Sequence, residues 1–277
     1  MPEPTASDGP FDPAWSPPEI DVSQPSVARV YDVFLGGKDN YAVDRQAARM
    51  METALPELPL IARINRRALR RGVRYLVGEA GVRQIIDVGS GLPTAGNIHQ
   101  IAHEIDPDVT VVYVDNDPIV LAHGRALLAE DDRTTVIQAD VREPAGIFGH
   151  EETLARIDTD RPFAVLLGGV LHSLPAAADP AEVTAGIRER LRPGCHLMIT
   201  NFTDTGEPIA DQFNKATLAA GFDIGRFCTA AELRSFFDRL DLIDPGVVPA
   251  TTWRPDDDPD PDAAAASIFY AGLARRP

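Results

Sequence analysis

The feature that most constrains this chain is a series of short apolar segments that alternate with helical patterns between residues 84 and 202. The apolar segments cover residues 84–91, 109–117, 134–141, 162–172 and 196–202. Helical patterns cover about residues 95–104, 118–129 and 180–191. Strands that alternate with helices form a parallel sheet covered on both faces, and right-handed crossovers make it doubly wound. We therefore predict an α/β fold.

The C-terminal part has a different order of elements. A helix is predicted over residues 230–240, followed by strands in LIDPGVVPATTW (residues 242–253) and SIFYAGLAR (residues 267–275). No helical pattern separates these two strands. Parallel neighbours need a crossover connection, so the last two strands should pair antiparallel.

The N-terminal part is predicted to be helical. Val27, Val30, Tyr31 and Phe34 share one face of a helix that begins after Ser26. Two more helical patterns cover residues 42–55 and 58–78, whereas the first residues are rich in proline, aspartate and serine, as in an extended arm. The predicted organisation is an arm at 1–25, a helical lobe at 26–81 and an α/β domain at 82–277.

The charge of the chain bears on its partners. The formal net charge is −16 and the sequence pI is about 4.7, which disfavours binding to nucleic acid or to an anionic membrane. A row of arginines on the third helix is interpreted as a solvated face that balances the acidic surface. The row comprises Arg63, Arg66, Arg67, Arg70, Arg71 and Arg74. We expect no nucleic-acid or membrane partner.

The cysteines and the N-terminus bear on location. Cys195 and Cys228 lack metal-ligand spacing and are too few for a disulfide framework. MPEPTASDGPFDPAW has no basic segment followed by an apolar one, as a signal peptide would. No apolar stretch is long enough to span a bilayer. We expect a cytoplasmic protein.

The end of the first strand is a candidate ligand site, because open parallel sheets bind ligands at the carboxyl ends of their strands. The segment DVGSG supplies Asp87, Ser90 and two glycines. Gly89 and Gly91 lack a Cβ and let the backbone approach a ligand closely. A Gly-x-Gly alone is common to several cofactor sites.

Acidic residues also end the next two strands. Asp115, followed by Asn116, suits a pair of ribose hydroxyls, because a carboxylate accepts both O–H groups. Asp140 suits the exocyclic amine of an adenine, with the Val141 backbone meeting a ring nitrogen. A single acidic residue here is often a helix N-cap. Three after successive strands favour a nucleoside cofactor.

Nicotinamide and S-adenosylmethionine sites both use this arrangement. Thr94 stands where the dinucleotide fingerprint has Gly or Ala, and Pro93 lies in the turn. A dinucleotide domain is also not expected to end in an antiparallel pair. Both points favour S-adenosylmethionine, with NAD as the competing reading.

Five blocks carry a resemblance to a known family. They are SVARVYDVFLGGKDNYAVDR, IIDVGSGLPTAGNIHQIA, VVYVDNDPIVLAHGRALL, ADVREP and LLGGVLHSLP. The chain resembles a bacterial family of S-adenosylmethionine-dependent methyltransferases formerly catalogued as a domain of unknown function. The resemblance implies a class I methyltransferase fold: a seven-stranded, mostly parallel sheet with an antiparallel last strand. It places Asp87, Gly89 and Gly91 at the amino-acid end of the cofactor, Asp115 at the ribose, and Asp140 and Val141 at the adenine.

The segment GGKDNY, residues 36–41, joins the first two helices. It lacks P-loop spacing and follows a helix instead of a strand. We interpret it as part of a lid over the cofactor. The residues that would contact the cofactor there are Arg29, Tyr31, Gly37, Lys38 and Asn40. The alternative is that Asp39 and Asn40 only cap the next helix.

His172, after the fourth strand, is the candidate general base, because its ordinary pKa range suits proton transfer. The alternative is a histidine bonded to backbone. Asn201 is a second candidate for the acceptor site, and His99 and His103 are interpreted as structural. No metal-ligand spacing is present.

These observations predict methyl transfer from S-adenosylmethionine to an oxygen, nitrogen or carbon of a small molecule, with a protein acceptor as an alternative. One alternative is a regulatory protein that binds S-adenosylmethionine or S-adenosylhomocysteine without catalysis. A nicotinamide enzyme is a third reading.

Overall fold

In this computed structural model, residues 21–93, 96–128, 132–256 and 267–277 are described, apart from the side chains of residues 126–128. Most of the predicted arm lies outside the described residues. The same is true of Thr94 and of Ala95, the predicted start of a helix.

The helices and strands occur in the order that the alternation predicts. The helices are α1 (Val27–Phe34), α2 (Ala42–Ala54), α3 (Leu58–Arg74), α4 (Ile98–His103), α5 (Pro118–Leu128), α6 (Pro144–Gly149), α7 (Glu151–Arg156), α8 (Pro180–Arg188), α9 (Pro208–Ala219) and α10 (Ala230–Ser235). The strands are β1 (Gln84–Val88), β2 (Thr110–Asp115), β3 (Thr134–Gln138), β4 (Ala164–Gly168), β5 (His196–Asp204), β6 (Cys228–Thr229), β7 (Asp241–Leu242), β8 (Val248–Pro249) and β9 (Phe269–Arg275).

The strands form one twisted sheet in the order β3-β2-β1-β4-β5-β9-β7. Strands β1 to β5 are parallel, and β9 lies antiparallel between β5 and β7. Short strands β6 and β8 pair with β5 and β9. The strand order reverses between β1 and β4, which is where open α/β sheets bind their ligands. The predicted doubly wound sheet and its antiparallel last strand are confirmed.

Apolar cores lie on both faces of the sheet because the central strands are buried on both sides. Ile85 of β1 belongs to the core that also holds α1 to α4, while Ile86 belongs to the core with α8 and α10. Helix α3 contributes Ile64 and Ala68 to the first of these cores, and neither is solvent-accessible. The N-terminal helices therefore share a core with the sheet.

The structure adds helices that the sequence did not indicate and shortens others. Helices α6 and α7 have six residues each, too few to display a clear apolar period. Helix α9 buries only Ala210, Phe213 and Thr217, so its apolar stripe is narrow. Helix α10 ends at Ser235, short of the predicted residue 240.

The strand predicted over residues 242–253 is divided in two. A turn in which the Gly246 amide donates to the Ile243 carbonyl separates β7 from β8. Both pieces pair antiparallel with β9, as predicted for this segment.

The interpretation of the arginine row as one solvated face is wrong for Arg71. Its side chain is buried and donates to the carbonyl oxygens of Trp253 and Ala250, at 2.9 and 2.6 Å. Arg63, Arg70 and Arg74 are exposed, as that interpretation requires. The buried guanidinium instead joins α3 to residues 250–253, directly after β8. In the described part of the chain, no helix is both long and apolar enough to cross a membrane.

Candidate active site

A cavity of about 350 Å³ opens at the carboxyl ends of the parallel strands, beneath α1 and α3. It lies at the point where the strand order reverses. The predicted residues that line it are Tyr31, Asp87, Gly89, Ser90, Gly91, Asp115, Asn116, Asp140, Val141 and His172.

The glycine loop after β1 has the backbone geometry that the sequence indicated. Gly89 and Gly91 have φ angles of 71° and 67°, a region that favours glycine. A Cβ at Gly89 would lie 2.5 Å from the Val170 side chain, so that position also lacks room. The loop therefore keeps its close approach to the cavity only with glycine at these positions.

Asp115 is held in place by the glycine loop. Its carboxylate accepts the Gly91 amide at 2.8 Å and the Asp117 amide at 3.0 Å. Burial raises the pKa of Asp115, whereas these backbone bonds lower it. Each carboxylate oxygen has a second lone pair, so the group remains able to accept two hydroxyls.

Asp87 is a second buried acid of the site whose pKa is raised. Burial raises its pKa to about 7; the Arg66 guanidinium lowers this pKa and the Asp115 carboxylate raises it. Arg66 also lines the cavity and donates to the Gly96 carbonyl at 3.0 Å. A buried carboxyl of this kind gains a partner when a cation enters, so Asp87 suits an ammonium group.

Asp140 and Val141 lie at the end of the third strand, as predicted. The Asp140 carboxylate forms a close ion pair with Arg142, whose Nε lies 3.0 Å from both oxygens. This hydrogen-bonded guanidinium lowers the pKa of Asp140. Val141 is buried and offers an apolar surface beside the pair.

Helices α1 and α3 complete the cavity. The Ser26 hydroxyl donates to Asp117 at 2.5 Å, which brings the start of α1 against the end of β2. The Tyr31 hydroxyl accepts from Asn65 at 3.0 Å, and the Thr200 hydroxyl donates to Asn65 at 2.7 Å. These polar contacts join the N-terminal helices to the sheet around the cavity.

Sequence reasoning missed Asn65 and Arg66, both of which line the cavity. Asn65 carried a usable signal, because it is an amide side chain within the apolar stripe of α3 between Ile64 and Ala68. Arg66 was grouped with its neighbours in the arginine row. Only the docking of α3 distinguishes it from them.

Arg29 does not line the cavity with the other predicted residues. It is buried, forms a 2.9 Å ion pair with Asp44 of α2 and donates to the Gln24 carbonyl at 2.6 Å. Its contacts hold α1, α2 and the preceding chain together. Arg29, which the sequence placed among the cofactor contacts, is therefore held away from the cavity-lining residues.

The GGKDNY segment also lies away from the cavity-lining set. It folds around the Asp32 carboxylate, which accepts from the Asp39 amide at 3.0 Å and from the Asn40 side chain at 2.8 Å. A Cβ at Gly37 would lie 1.9 Å from Asp32 Oδ1. The segment is a turn that shapes the helical lobe, and neither Gly37, Lys38 nor Asn40 is brought to the cofactor site.

The alternative reading of GGKDNY, a cap made by Asp39 and Asn40, also differs from the structure. The carboxylate that accepts the amide at the start of α2 is that of Asp44, which lies 2.8 Å from the Tyr41 nitrogen. Asp39 instead lies 3.9 Å from His123 of α5.

His172 and Asn201 meet in the cavity wall. Asn201 Oδ1 accepts the His172 backbone amide at 3.0 Å and lies 3.1 Å from its Nδ1. The Asn201 amide nitrogen donates to the Phe202 carbonyl at 2.8 Å. This arrangement fixes the oxygen toward His172, so Nδ1 carries the proton and Nε2 is the basic nitrogen.

The imidazole environment keeps His172 neutral. Burial lowers the pKa of His172 to about 4, partly offset by the hydrogen bond to Asn201. Nε2 has no hydrogen-bond partner among the described residues, yet it is not among their enclosed, unpartnered polar atoms. Nε2 therefore has accessible surface, and His172 lines the cavity.

The other two predicted histidines have structural contacts. His99 Nδ1 lies 2.8 Å from the Tyr113 hydroxyl, and His103 Nε2 lies 2.8 Å from the Val109 carbonyl. Within the described ranges, no three His, Cys, Asp or Glu side chains come together as a metal site.

The cavity has the chemical features that S-adenosylmethionine requires. It holds a buried carboxyl group, a carboxylate that is oriented by backbone amides and can accept hydroxyls, and a glycine loop that leaves room for close backbone approach. The sheet order and this loop define a class I S-adenosylmethionine-dependent methyltransferase.

Comparison with known proteins identifies the family. A family model described as S-adenosyl methyltransferase matches residues 13–277, so the chain belongs to that family. Its fold resembles that of a candidate methyltransferase from Thermobifida fusca YX: TM-score 0.88, 43% identity, 95% of this chain and 99% of that one covered. A DUF574 family protein from Streptomyces avermitilis MA-4680 gives a TM-score of 0.87 and 35% identity, over 93% of this chain and 99% of that one.

A curated relative matches over a shorter stretch. Carboxy-S-adenosyl-L-methionine synthase from Geobacter metallireducens is 33% identical over 113 residues, which are 39% of this chain and 41% of that protein. The chain thus spans about two fifths of this relative. These comparisons support an S-adenosylmethionine-dependent methyltransferase and give no support to the non-catalytic alternative.

Proposed function

We propose that this methyltransferase acts on a small-molecule acceptor, with His172 as the general base. The observation that carries the proposal is a single cavity that joins the three acidic residues of the cofactor site to the open Nε2 of His172. S-adenosylmethionine supplies a methyl group activated by a sulfonium. The protein aligns that group with the acceptor and takes up the acceptor proton.

The proposed cofactor contacts come from residues at the carboxyl ends of β1, β2 and β3. We propose that Asp87 binds the ammonium group, Asp115 the ribose hydroxyls, and Asp140 with Val141 the adenine. Arg66 faces the same end as Asp87 and lowers its pKa, so it is the proposed partner of the methionine carboxylate in place of Arg29. Arginine suits that role because its fork of donors matches a carboxylate.

The N-terminal helices α1 and α2 are the proposed lid. The hydrogen bond from Ser26 to Asp117 places the start of α1 over the end of β2, beside Asp115. Helices α1, α2 and α3 share the core on this face of the sheet, but α3 also packs directly on β5 and β9, so we assign it to the α/β domain. The proposed lid is therefore smaller than the lobe expected at residues 26–81.

A cytoplasmic location and a bacterial source are also proposed for this protein. Both cysteines are free and buried, which suits the reducing cytoplasm of a cell. A bacterial source is supported by the family members from Thermobifida and Streptomyces.

The test is calorimetric titration with S-adenosylhomocysteine. Wild type should bind, and Asp115→Ala should lose roughly 10- to 100-fold in affinity, about 1–3 kcal/mol for lost bonds to a charged group. Asp108→Ala is the matched control, because that carboxylate is exposed and lies away from the cavity. NAD serves as the control ligand. A folded wild type that binds NAD and not S-adenosylhomocysteine would refute the cofactor assignment.

A further inference from the structure

We propose that the methyl acceptor is a flat, apolar molecule with a weakly acidic hydroxyl of the phenol type, held in an aromatic chamber beside His172. The inference rests on the proposed function and adds the chemical class of the acceptor. The aromatic chamber is the part of the cavity lined by Phe34, Phe202, Phe213, Phe222, Ile224 and Phe269.

Apart from α1, the chamber is built by elements that carry none of the proposed cofactor contacts. Phe34 ends α1, Phe213 lies on α9, and Phe222 follows α9. Phe202 and Phe269 face each other across β5 and β9, with ring centroids 5.0 Å apart. Rings at such distances offer both edges and faces, which suits a flat aromatic ligand.

The charged groups of the cavity all lie at its cofactor end. They are Arg66, Asp87, Asp115, Asp117, Asp140 and Arg142. None of the described chamber residues is charged. An ammonium or carboxylate that entered the chamber would lose its hydration without gaining an ionic partner, which is strongly unfavourable. The chamber therefore selects acceptors that enter uncharged.

His172 marks where the reacting atom lies. Its ring stands edge-on to Phe202, with centroids 4.8 Å apart, so the imidazole is part of the chamber wall. Thr217 is the polar residue of α9 at this cavity, and its hydroxyl already donates to the Phe213 carbonyl at 2.9 Å. Nε2 of His172 is thus the basic atom available to an acceptor in the chamber.

The weak basicity of His172 limits which classes of nucleophile can serve as the acceptor. An aliphatic amine has an ordinary pKa near 10.4 and would have to enter as a cation. An aliphatic alcohol is far too weak an acid for a base of such low pKa to assist. A phenolic hydroxyl, with an ordinary pKa near 10, enters neutral and still gives up its proton as it reacts.

The atoms, electron pairs and charge of the methyl transfer balance with groups that the site supplies. An oxygen lone pair of the acceptor forms the new bond to the methyl carbon, and the carbon–sulfur bond breaks with its electron pair left on sulfur. The hydroxyl proton passes to Nε2 of His172. The positive charge lost by the sulfonium thus appears on the imidazolium, and an aryl methyl ether and a thioether leave.

The experiment uses three probes of similar size: 2-naphthol, the 2-naphthylmethylammonium ion and decahydro-2-naphthol. Each is titrated into the full chain saturated with S-adenosylhomocysteine, and each is then offered with labelled S-adenosylmethionine. The expected result is that 2-naphthol binds at least tenfold more tightly than the ammonium ion. It alone of the three should be methylated.

Two variants locate the site. Phe222→Ala should weaken 2-naphthol binding by roughly tenfold through lost apolar contact, with the affinity for S-adenosylhomocysteine unchanged. Leu218→Ala is the matched control, since Leu218 is exposed on α9 and does not line the cavity. His172→Gln should still bind 2-naphthol but not methylate it.

The outcomes separate the two proposals. If S-adenosylhomocysteine does not bind, the proposed function itself fails. If it binds but the ammonium ion binds as tightly as 2-naphthol, or none of the probes binds, the proposed acceptor class is wrong while the cofactor site stands. Equal effects of Phe222→Ala and Leu218→Ala would also overturn the location of the chamber.

Discussion

At the scale of single residues, the site depends on groups held in unfavourable states. Asp87 is buried where its charge is disfavoured, and Gly89 adopts a backbone conformation that few residues tolerate. Each such position costs folding stability and prepares a contact for the cofactor. Substitutions at these positions should change the free energy of unfolding and the affinity for the cofactor in opposite directions or by unequal amounts.

Asp87→Asn should stabilise the unliganded protein at high pH. The pKa of Asp87 is raised to about 7 in the folded protein, so the folded state binds a proton more tightly than the unfolded chain does. Wild type therefore gains stability as the pH falls from above 7 toward 4, whereas the variant lacks this term. We expect Asp87→Asn to be more stable by about 4 kcal/mol at pH 8, with the gap falling to about 2 kcal/mol near pH 5 and closing near pH 4.

Urea denaturation at several pH values measures this gap. Asp108→Asn provides the comparison, because its carboxylate is exposed. A difference between Asp87→Asn and wild type that stays constant from pH 5 to pH 8 would contradict the assignment of the titration to Asp87.

The affinity for S-adenosylhomocysteine should depend on the same carboxyl group. Binding of the ligand ammonium requires Asp87 to be ionised, so binding below pH 7 must first remove its proton. Affinity should fall by up to about tenfold per pH unit as the pH drops below 7. The pKa of His172, about 4, lies below this window. Titration calorimetry from pH 5.5 to 8.5 measures the slope, which Asp87→Asn should abolish.

Gly89→Ala should destabilise the protein more than Gly81→Ala does. Both glycines have a φ of 71°, so both substitutions carry backbone strain of about 1–2 kcal/mol. Only at Gly89 does the new Cβ meet another group, the Val170 side chain; at Gly81 no atom lies within 4 Å. Overpacking adds roughly 1–3 kcal/mol, which thermal and urea unfolding of both variants would resolve. Equal losses would show that Val170 moves aside freely.

At the scale of elements, the N-terminal helices are held by buried charge. Arg29 and Asp44 join α1 to α2, and both side chains are almost inaccessible to solvent. Removing one member of such a pair leaves the other charge uncompensated. The pair therefore determines whether α1 and α2 keep their place over the cofactor.

Arg29→Ala should cost about 3–5 kcal/mol of unfolding free energy because Asp44 is left buried and unpaired. Arg45→Ala is the control: Arg45 is exposed on α2, the helix that carries Asp44, and its variant should stay within about 0.5 kcal/mol of wild type. Urea denaturation measures both, with S-adenosylhomocysteine titrated into each folded variant. An Arg29→Ala protein of unchanged stability that no longer binds the ligand would restore Arg29 as a direct contact.

At the scale of the whole molecule, the predicted division at residue 82 cuts through a core. Helix α3 covers one face of the sheet, and its Arg71 donates to carbonyls directly after β8. A fragment of residues 82–277 would expose that face to water. We expect it to lack cooperative unfolding and near-ultraviolet circular dichroism, whereas the full chain shows both. A native-like, cooperative fragment would contradict the shared core.

A site residue can be predicted from the sequence when a local pattern, such as the end of a strand, determines its position. Asp87, Asp115 and Asp140 were predictable because each ends a strand, and parallel strands bring their ends to one edge. Arg66 and Asn65 reach the same cavity through the docking of α3, which no local pattern encodes. The aromatic chamber joins α1, α9 and β9, so it too appears only once distant segments are packed together.

The separation of the chamber from the cofactor site has a consequence for how such proteins diversify. The acidic residues proposed to bind the cofactor lie at the ends of β1 to β3, whereas Phe213, Phe222 and Ile224 of the proposed chamber come from one continuous stretch that includes α9. On these two proposals, replacing that stretch with its counterpart from another family member should change the acceptor that is methylated and leave the affinity for the methyl donor unchanged.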